Sequence, residues 1–213
     1  MLRDIFVLNR KELDLLMQLG YGDYVYRCTI VAPLMVFAGF LGSLLVPESA
    51  QRLIGYFAYA TGQSGLGGIT MENISSFQTF GSLFFNNFSA SFSALVWGLL
   101  PFLYLSAFTL GINFYMLGTF AYVTIGSGAS LATYCFSIAP HGIFEFPALI
   151  LFSAAGLFLC RCTTARLRGQ SSLSIMQVFG LCVKLLWTVV APLLLFAAAA
   201  ECFLTPFLVK LVA

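Results

Sequence analysis

The feature that constrains this chain most is a stretch of about 40 residues, from Ser82 to Val123, without a charged side chain. A helix rises 1.5 Å per residue, so about 20 apolar residues already cross the roughly 30 Å hydrocarbon layer of a bilayer. The stretch is therefore predicted to form two membrane spans, with the bend near Trp97, Gly98 and Pro101. Composition agrees, because 8% of the 213 residues are charged, whereas a soluble domain carries roughly 25%.

Three further apolar runs complete the predicted fold. Residues 28–46 carry no charge, and residues 140–160 begin with Pro140, which suits the first turn of a helix. We predict an all-α fold: a polytopic membrane helix bundle with about five transmembrane helices in one domain, residues 28–213. The spans are predicted at residues 28–46, 80–98, 102–123, 140–160 and 178–200.

The segments between these spans differ in character. Residues 1–27 mix charged and apolar groups and are predicted to be a cytoplasmic juxtamembrane segment, with an interfacial amphipathic helix as the alternative. Residues 47–79 are rich in Pro, Gly and polar groups and are predicted to be an outer loop. Residues 124–139 contain an apolar piece too short for a crossing, so this segment is predicted to be re-entrant or interfacial.

The distribution of positive charge predicts the orientation. Four basic residues precede the first span, and three Arg lie between residues 161 and 168, after the fourth span. Four crossings separate the two groups, so both can lie in the cytoplasm, as the positive-inside rule favours. The N-terminus is therefore predicted to be cytoplasmic and the C-terminus to lie outside.

Several classes of function are not supported by the composition. A net charge of +2 without a basic cluster does not indicate nucleic-acid binding. The six Cys lack CxxC spacing, the chain has a single His, and it has no Gly-rich phosphate-binding loop. We therefore expect no metal, no cofactor and no catalytic residues, and we expect that the protein is not an enzyme.

A few polar residues within the apolar runs are candidates for a site. His141 and Glu145 are four residues apart, which places them on one helical face about 6 Å apart along the axis, where they can hydrogen-bond. Glu201 is predicted to lie at a similar depth, near the outer face, on a neighbouring helix. Ionisable groups inside a membrane are costly and commonly functional. The candidate ligand or proton site comprises His141, Glu145, Glu201, Asn86, Asn87 and Asn113.

Two interpretations of this cluster stay open. In the first, His141 and Glu145 cap and hydrate the start of the fourth span at the water boundary, and the Asn side chains join helices by hydrogen bonds. In the second, the cluster binds a ligand or couples to protons. The apolar runs also contain recurrent Gly, which favours close contacts between helices.

Three segments resemble the stage II sporulation protein M family. They are FFNNFSASFSALVWGLLPFLYLSAFTLGINFYMLGTF (84–120), PHGIFEFPALILFSAAGLFL (140–159) and LLLFAAAAECFLTPFL (193–208). The most specific element is Pro140-His141-Gly142 with Glu145. It is similar to the wider, non-sporulation branch of the family, although Phe114 stands where relatives often have Gly.

The resemblance implies a multi-pass protein of the bacterial plasma membrane. The sporulation member is similar to an assembly platform for enzymes that degrade peptidoglycan, and some relatives resemble components of circular-bacteriocin production that act with ATP-binding proteins. We therefore expect a membrane scaffold or subunit that recruits envelope or membrane proteins, an ATP-binding subunit among them, for envelope remodelling or peptide export. The alternative is a small proton-linked transporter or permease subunit. A homodimer is expected from the few spans and the small-residue faces.

Overall fold

The computed structural model describes residues 8–60 and 76–205 of the chain. Residues 1–7, the centre of the predicted outer loop at 61–75, and residues 206–213 lie outside the described residues, so the predictions made for those parts are not addressed. The described part is all-α, as predicted, and contains seven helices. They are α1 (Arg10–Gln18), α2 (Tyr21–Leu45), α3 (Pro47–Ala60), α4 (Ser76–Trp97), α5 (Leu105–Gly126), α6 (Leu131–Leu167) and α7 (Ile175–Leu204).

Four of these helices, α2, α5, α6 and α7, are long and apolar enough to cross a membrane. Helix α4 has 22 residues and no charge, but its Asn and Ser side chains lower its hydropathy. It packs against α6 and α7 within the same bundle. The predicted number of about five spans is thus supported as an approximation, with α4 as the least apolar member.

The bend predicted within the uncharged stretch is present. Helix α4 ends at Trp97 and α5 begins at Leu105, and Phe102 and Tyr104 in the turn both have positive φ angles, of 69° and 46°. The turn is fastened to the end of α6, because the Phe102 backbone N–H donates to Thr164 Oγ1 at 3.0 Å. Arg168 also lies over the Phe102 ring at 5.2 Å.

Helix α6 is the centre of the bundle and contacts α2, α4, α5 and α7. Its buried side chains include Phe152, Phe158 and Leu159. Tyr21 of α2 packs edge-on against Phe158 and donates its hydroxyl to the Leu151 carbonyl at 2.9 Å. This central position explains why α6 has more buried residues than any other described helix.

The closest contacts between helices occur at glycines. A Cβ at Gly118 of α5 would overlap the Val36 carbonyl of α2, and a Cβ at Gly39 would overlap the Tyr115 carbonyl of α5. A Cβ at Gly156 of α6 would likewise overlap the Ala94 carbonyl of α4 and the Ser106 hydroxyl. These backbones approach so closely that only glycine fits, which is the helix-packing role predicted for the recurrent glycines.

The predicted start of the fourth span at Pro140 is wrong. Helix α6 begins nine residues earlier, at Leu131, and its N-cap is Ser130, whose side chain accepts a hydrogen bond from the Thr133 N–H at 3.0 Å. Residues 131–139 are therefore the first turns of a 37-residue helix rather than a separate re-entrant or interfacial element. A proline inside a helix lacks one backbone donor, but packing against neighbouring helices compensates in a membrane bundle, and Pro140 is buried.

Basic residues lie near one end of the bundle. Lys184 of α7 forms an ion pair with Glu12 of α1, and Arg161 of α6 lies close to Gly20. The Phe102 turn beside Arg168 is at the end of α6 that follows Arg161. This arrangement agrees with the predicted grouping of these segments on one side, and the assignment of that side to the cytoplasm stays a prediction.

Candidate intramembrane carboxylate site

Helix α6 places Glu145 well inside the bundle. Glu145 lies 14 residues beyond Leu131, the first residue of α6, which corresponds to about 21 Å along the helix axis at 1.5 Å per residue. His141 lies one turn earlier. Because Ser130 caps this helix, the interpretation that His141 and Glu145 cap its start is wrong.

Three of the predicted site residues converge on one small cavity. Glu145 of α6, Asn87 of α4 and Asn113 of α5 line this cavity together with Ser91 and apolar side chains of α6 and α7. Its volume is about 20 Å³, and a space of this size holds one water molecule when polar groups surround it. We call this space the Glu145 cavity.

The orientation of Asn113 is fixed by its own helix. Its Nδ2 donates to the Thr109 carbonyl at 2.8 Å, so one of its two N–H donors is used, and the second N–H and the carbonyl oxygen remain. No described residue forms a hydrogen bond or an ion pair with the Glu145 carboxylate. Glu145 is half-buried, and a carboxyl group shielded from bulk water needs a partner. A single water in the Glu145 cavity can bridge it to the two amides.

Glu201 is a charged group that interacts electrostatically with Glu145. The two carboxyls are close enough for their charges to interact. Glu201 lies in a π-helical turn, Ala200–Leu204, where the regular hydrogen-bond ladder of α7 is interrupted, and the Thr205 hydroxyl donates to the Ala200 carbonyl at 3.3 Å. Such turns are rare and occur frequently at functional sites.

The remaining predicted residues are arranged differently. His141 Nδ1 is buried and has no hydrogen-bond partner among the described residues, and the hydrogen bond to Glu145 that the four-residue spacing allows is not formed. Asn86 is exposed on the outside of α4 and does not line the Glu145 cavity. Consecutive residues on a helix differ by 100° in direction, which explains why Asn87 belongs to the cavity and Asn86 does not.

The described residues do not contain a cluster of three or more His, Cys, Asp or Glu side chains that could hold a metal ion. The six cysteines are all free thiols, and three of them, Cys28, Cys160 and Cys182, are buried. The polar groups that line the Glu145 cavity are the Glu145 carboxyl group, the amides of Asn87 and Asn113 and the Ser91 hydroxyl group.

A second polar contact was not predicted from the sequence. Lys184 Nζ donates to Glu12 Oε1, and the two side chains are 18% and 23% exposed. The Asn9 backbone N–H also donates to Glu12, at 3.0 Å, so this hydrogen bond and the Lys184 ammonium together lower the pKa of Glu12 below its usual range. In addition, the Leu8 N–H donates to Thr188 Oγ1 at 2.9 Å. These contacts dock α1 onto α7.

One sequence signal could have found the start of α1. Asn9 and Glu12 form a capping box, in which the Asn9 side chain accepts from the Glu12 N–H and the Glu12 side chain accepts from the Asn9 N–H. The spacing Asn-x-x-Glu before an apolar pattern is visible in the sequence. The pairing with Lys184, 172 residues away, has no such signal.

Comparison with known proteins identifies a family. The family model described as Stage II sporulation protein M matches residues 28–206, a range that includes every residue of the candidate site. No curated protein and no solved structure matches the chain.

Proposed function

Because this chain belongs to the stage II sporulation protein M family and folds as a membrane-type helix bundle, we propose that it is a non-catalytic scaffold or subunit of a membrane complex. Its spans and the 47–82 segment recruit envelope or membrane proteins, an ATP-binding subunit among them, for envelope remodelling or peptide export. Its location is the plasma membrane of a bacterium, with the N-terminus inside and the C-terminus outside.

The main observation that supports this proposal is the close packing of the helices in the bundle. Backbones meet directly at Gly118 and Gly156, and the polar Glu145 cavity has room for about one water molecule. A helix bundle packed in this way is a rigid body that presents fixed surfaces. Rigid surfaces suit the binding of other proteins, because little conformational entropy is lost when they associate.

Glu145→Gln is the variant that tests the scaffold role, because it removes the charge and keeps the shape of the side chain. The chain carries an affinity tag in its native host, cells are treated with a membrane-permeant cross-linker, and the co-purified membrane proteins are quantified. The scaffold proposal predicts the same partners in the same amounts for the wild type and Glu145→Gln. A general loss of partners in this variant, with unchanged expression and thermal stability, would contradict it.

A specific observation also favours the second candidate, a proton-linked subunit. A carboxyl group faces a water-sized cavity in the bundle, and a second carboxyl group, Glu201, acts on it electrostatically. Ionisable groups that face internal cavities are typical of proton pathways. In this role Glu145 accepts and releases a proton while Asn87 and Asn113 orient the water beside it.

Proton flux distinguishes the two candidates. The purified protein is reconstituted into lipid vesicles that contain a pH-sensitive dye, and a potassium gradient with valinomycin supplies the driving potential. Flux above that of empty vesicles, lost in Glu145→Gln and retained in Glu48→Gln, supports the proton-linked role. Glu48 is a suitable control because it is exposed on α3 and forms a surface ion pair with Arg52, at 3.6 Å. Flux equal to that of empty vesicles supports the scaffold role.

A further inference from the structure

Two arginines lie beside one tyrosine where the start of α2 meets the end of α6. Arg27 of α2 lies over the Tyr24 ring, with its guanidinium carbon 5.6 Å from the ring centroid. Arg161 of α6 is close enough to interact electrostatically with the same tyrosine, and its Nη1 lies 3.4 Å from the position that a Cβ on Gly20 would occupy. The two guanidinium groups thus approach one ring from different helices, and we call Tyr24, Arg27 and Arg161 the Arg27 site.

The Tyr24 ring is held in place by the bundle. It packs edge-on against Phe158 of α6, with the ring centroids 6.2 Å apart, and Phe158 is fully buried. Tyr24 itself is half-buried, whereas Arg27 and Arg161 are exposed. The ring therefore positions the Arg27 guanidinium at the surface through cation–π attraction.

The positive charge of the Arg27 site is not neutralised within the described part of the chain. No described carboxylate forms an ion pair with Arg27 or Arg161, because the ion pairs between described side chains involve other residues. The Asp23 carboxylate lies in the first turn of α2, 3.9 Å from the Cβ position of Gly20. Its single negative charge leaves the two arginines with a net positive charge, which favours an anion.

The Arg27 site lies at the depth where two helices leave the hydrocarbon layer. Arg27 directly precedes the uncharged run 28–46 of α2, and Arg161 directly follows the uncharged run 146–160 of α6. Both helices are candidate membrane spans. A charged side chain at the end of an apolar run lies among the lipid headgroups, because a deeper position in hydrocarbon is costly. The two guanidinium groups are therefore level with the phosphates of the bilayer.

An exposed apolar strip of α2 begins beside Arg27. The strip consists of Ile30, Val31, Leu34 and Phe37. At 100° per residue, these side chains and Arg27 lie within an arc of about 120° around the helix. Phe37 lies about 15 Å from Arg27 along the axis, which is half of the roughly 30 Å hydrocarbon thickness. The strip can therefore lie against the acyl chain of a lipid whose headgroup is at the Arg27 site.

We propose that the Arg27 site binds the phosphate of an anionic phospholipid, whose acyl chain lies along the apolar strip of α2. A phosphate accepts hydrogen bonds from both guanidinium groups, and the planar guanidinium matches phosphate geometry. Basic pockets between transmembrane helices bind anionic headgroups in this way. A zwitterionic headgroup is bound less tightly, because its own cation offsets the attraction. Binding of the lipid does not depend on the proposed scaffold role.

Quenching by brominated lipids tests the Arg27 site in a bilayer. Leu34→Trp places a reporter on the apolar strip, in a chain whose native tryptophans are removed by Trp97→Phe and Trp187→Phe. The protein is reconstituted into phosphatidylcholine vesicles that contain a minor fraction of brominated phosphatidylglycerol or, for comparison, brominated phosphatidylcholine. Phosphatidylglycerol is expected to quench the reporter more strongly, because it is enriched at the Arg27 site. Equal quenching by the two brominated lipids would overturn the proposal.

Two double variants with the same loss of charge separate this site from the general positive charge of the protein. Arg27→Gln with Arg161→Gln removes the site, whereas Arg52→Gln with Arg166→Gln removes two exposed arginines outside it. Each arginine of the site is expected to contribute roughly fivefold to the preference for phosphatidylglycerol. The first double variant should therefore lose the preference and the second should keep it. An equal loss in both would indicate a diffuse charge effect and overturn the proposal.

Soluble phosphate distinguishes a lipid site from a site for a free anion. Excess inorganic phosphate, compared with sodium chloride at the same ionic strength, is expected to leave quenching by phosphatidylglycerol unchanged, because it has no acyl chain to lie on the strip. If phosphate removed the extra quenching, the occupant would be a free anion and the lipid would be excluded. This measurement and the comparison of the two lipids keep both arginines, so they decide the proposal even if a double variant fails to fold.

Discussion

Replacing Gly118 with Ala probes the closest contact of the bundle. A Cβ on Gly118 would overlap the Val36 carbonyl and crowd the Phe40 nitrogen of α2. Both obstacles are backbone atoms, so a side-chain rotation cannot relieve the overlap and the two helices must separate. Overpacking of this kind costs about 1–3 kcal/mol and sometimes more, and the separation also loosens neighbouring contacts between α2 and α5. We therefore expect Gly118→Ala to lower the free energy of unfolding.

Gly111 is a matched control on the same helix. A Cβ at Gly111 would meet only Met35 Sδ, at 3.9 Å, which is an ordinary contact. Gly in a helix interior is less favourable than Ala by roughly 0.5–1 kcal/mol, so Gly111→Ala is expected to be neutral or slightly stabilising. Because both variants gain the same helix propensity, they should differ by the cost of overpacking alone, about 1–3 kcal/mol, or roughly 5- to 160-fold in the unfolding equilibrium.

The assay is reversible unfolding in mixed micelles with increasing dodecyl sulfate, followed by the fluorescence of Trp97 and Trp187. The midpoint of Gly118→Ala is expected at a clearly lower detergent fraction than those of the wild type and Gly111→Ala. If Gly118→Ala were as stable as Gly111→Ala, α2 and α5 would not meet at Gly118, and the closed packing that supports the scaffold proposal would lose its basis.

Three further predictions concern α1 and the topology. Glu12→Gln should weaken the docking of α1 by about 1–3 kcal/mol, because Lys184 is left without its partner. Trypsin should then cleave α1 faster in Glu12→Gln than in the control Asp14→Asn, and equal cleavage rates would refute the prediction. Because the pKa of Glu12 is lowered in the folded protein, its contribution to stability is present above the ordinary carboxyl pKa and is lost as the pH falls through the lowered pKa. The difference in hydrogen-exchange protection of α1 between wild type and Glu12→Gln should therefore vanish at a pH below the lowered pKa, and a difference independent of pH would exclude this mechanism. Finally, a membrane-impermeant maleimide should label exposed Cys135 in intact cells but not Arg168→Cys, and the reverse pattern would invert the predicted orientation.

The sequence predicted the architecture well because hydrocarbon imposes strict length limits. The absence of charge from Ser82 to Val123 predicted the α4–α5 hairpin, and the helices indeed break between Trp97 and Leu105. Pro140 misled the prediction, because a proline that is common at helix starts in water is tolerated inside a packed membrane helix. As a result, the sequence placed Glu145 near a helix end rather than about 21 Å from it.

The candidate site was predicted only in part. The four-residue spacing in the sequence places His141 and Glu145 on one face of a helix. Whether Asn86 or Asn87 of α4 faces the Glu145 carboxyl group depends instead on the rotation of α4 about its axis relative to α6. Packing at Gly156 against the Ala94 carbonyl fixes that rotation, and no local pattern reports it. The ion pair between Glu12 and Lys184 depends in the same way on how α1 folds back over α7.

The most direct test of the closed bundle is the accessibility of the Glu145 cavity to a water-soluble thiol reagent. Variants that keep one cysteine, at Asn113→Cys or at the native Cys135, are placed in lipid nanodiscs, where the reagent reaches both faces of the membrane. The scaffold proposal predicts fast labelling of Cys135, which is exposed, and little labelling at position 113. If position 113 were labelled as fast as Cys135, the Glu145 cavity would be open to water. This result would contradict the scaffold proposal and favour the proton-linked subunit.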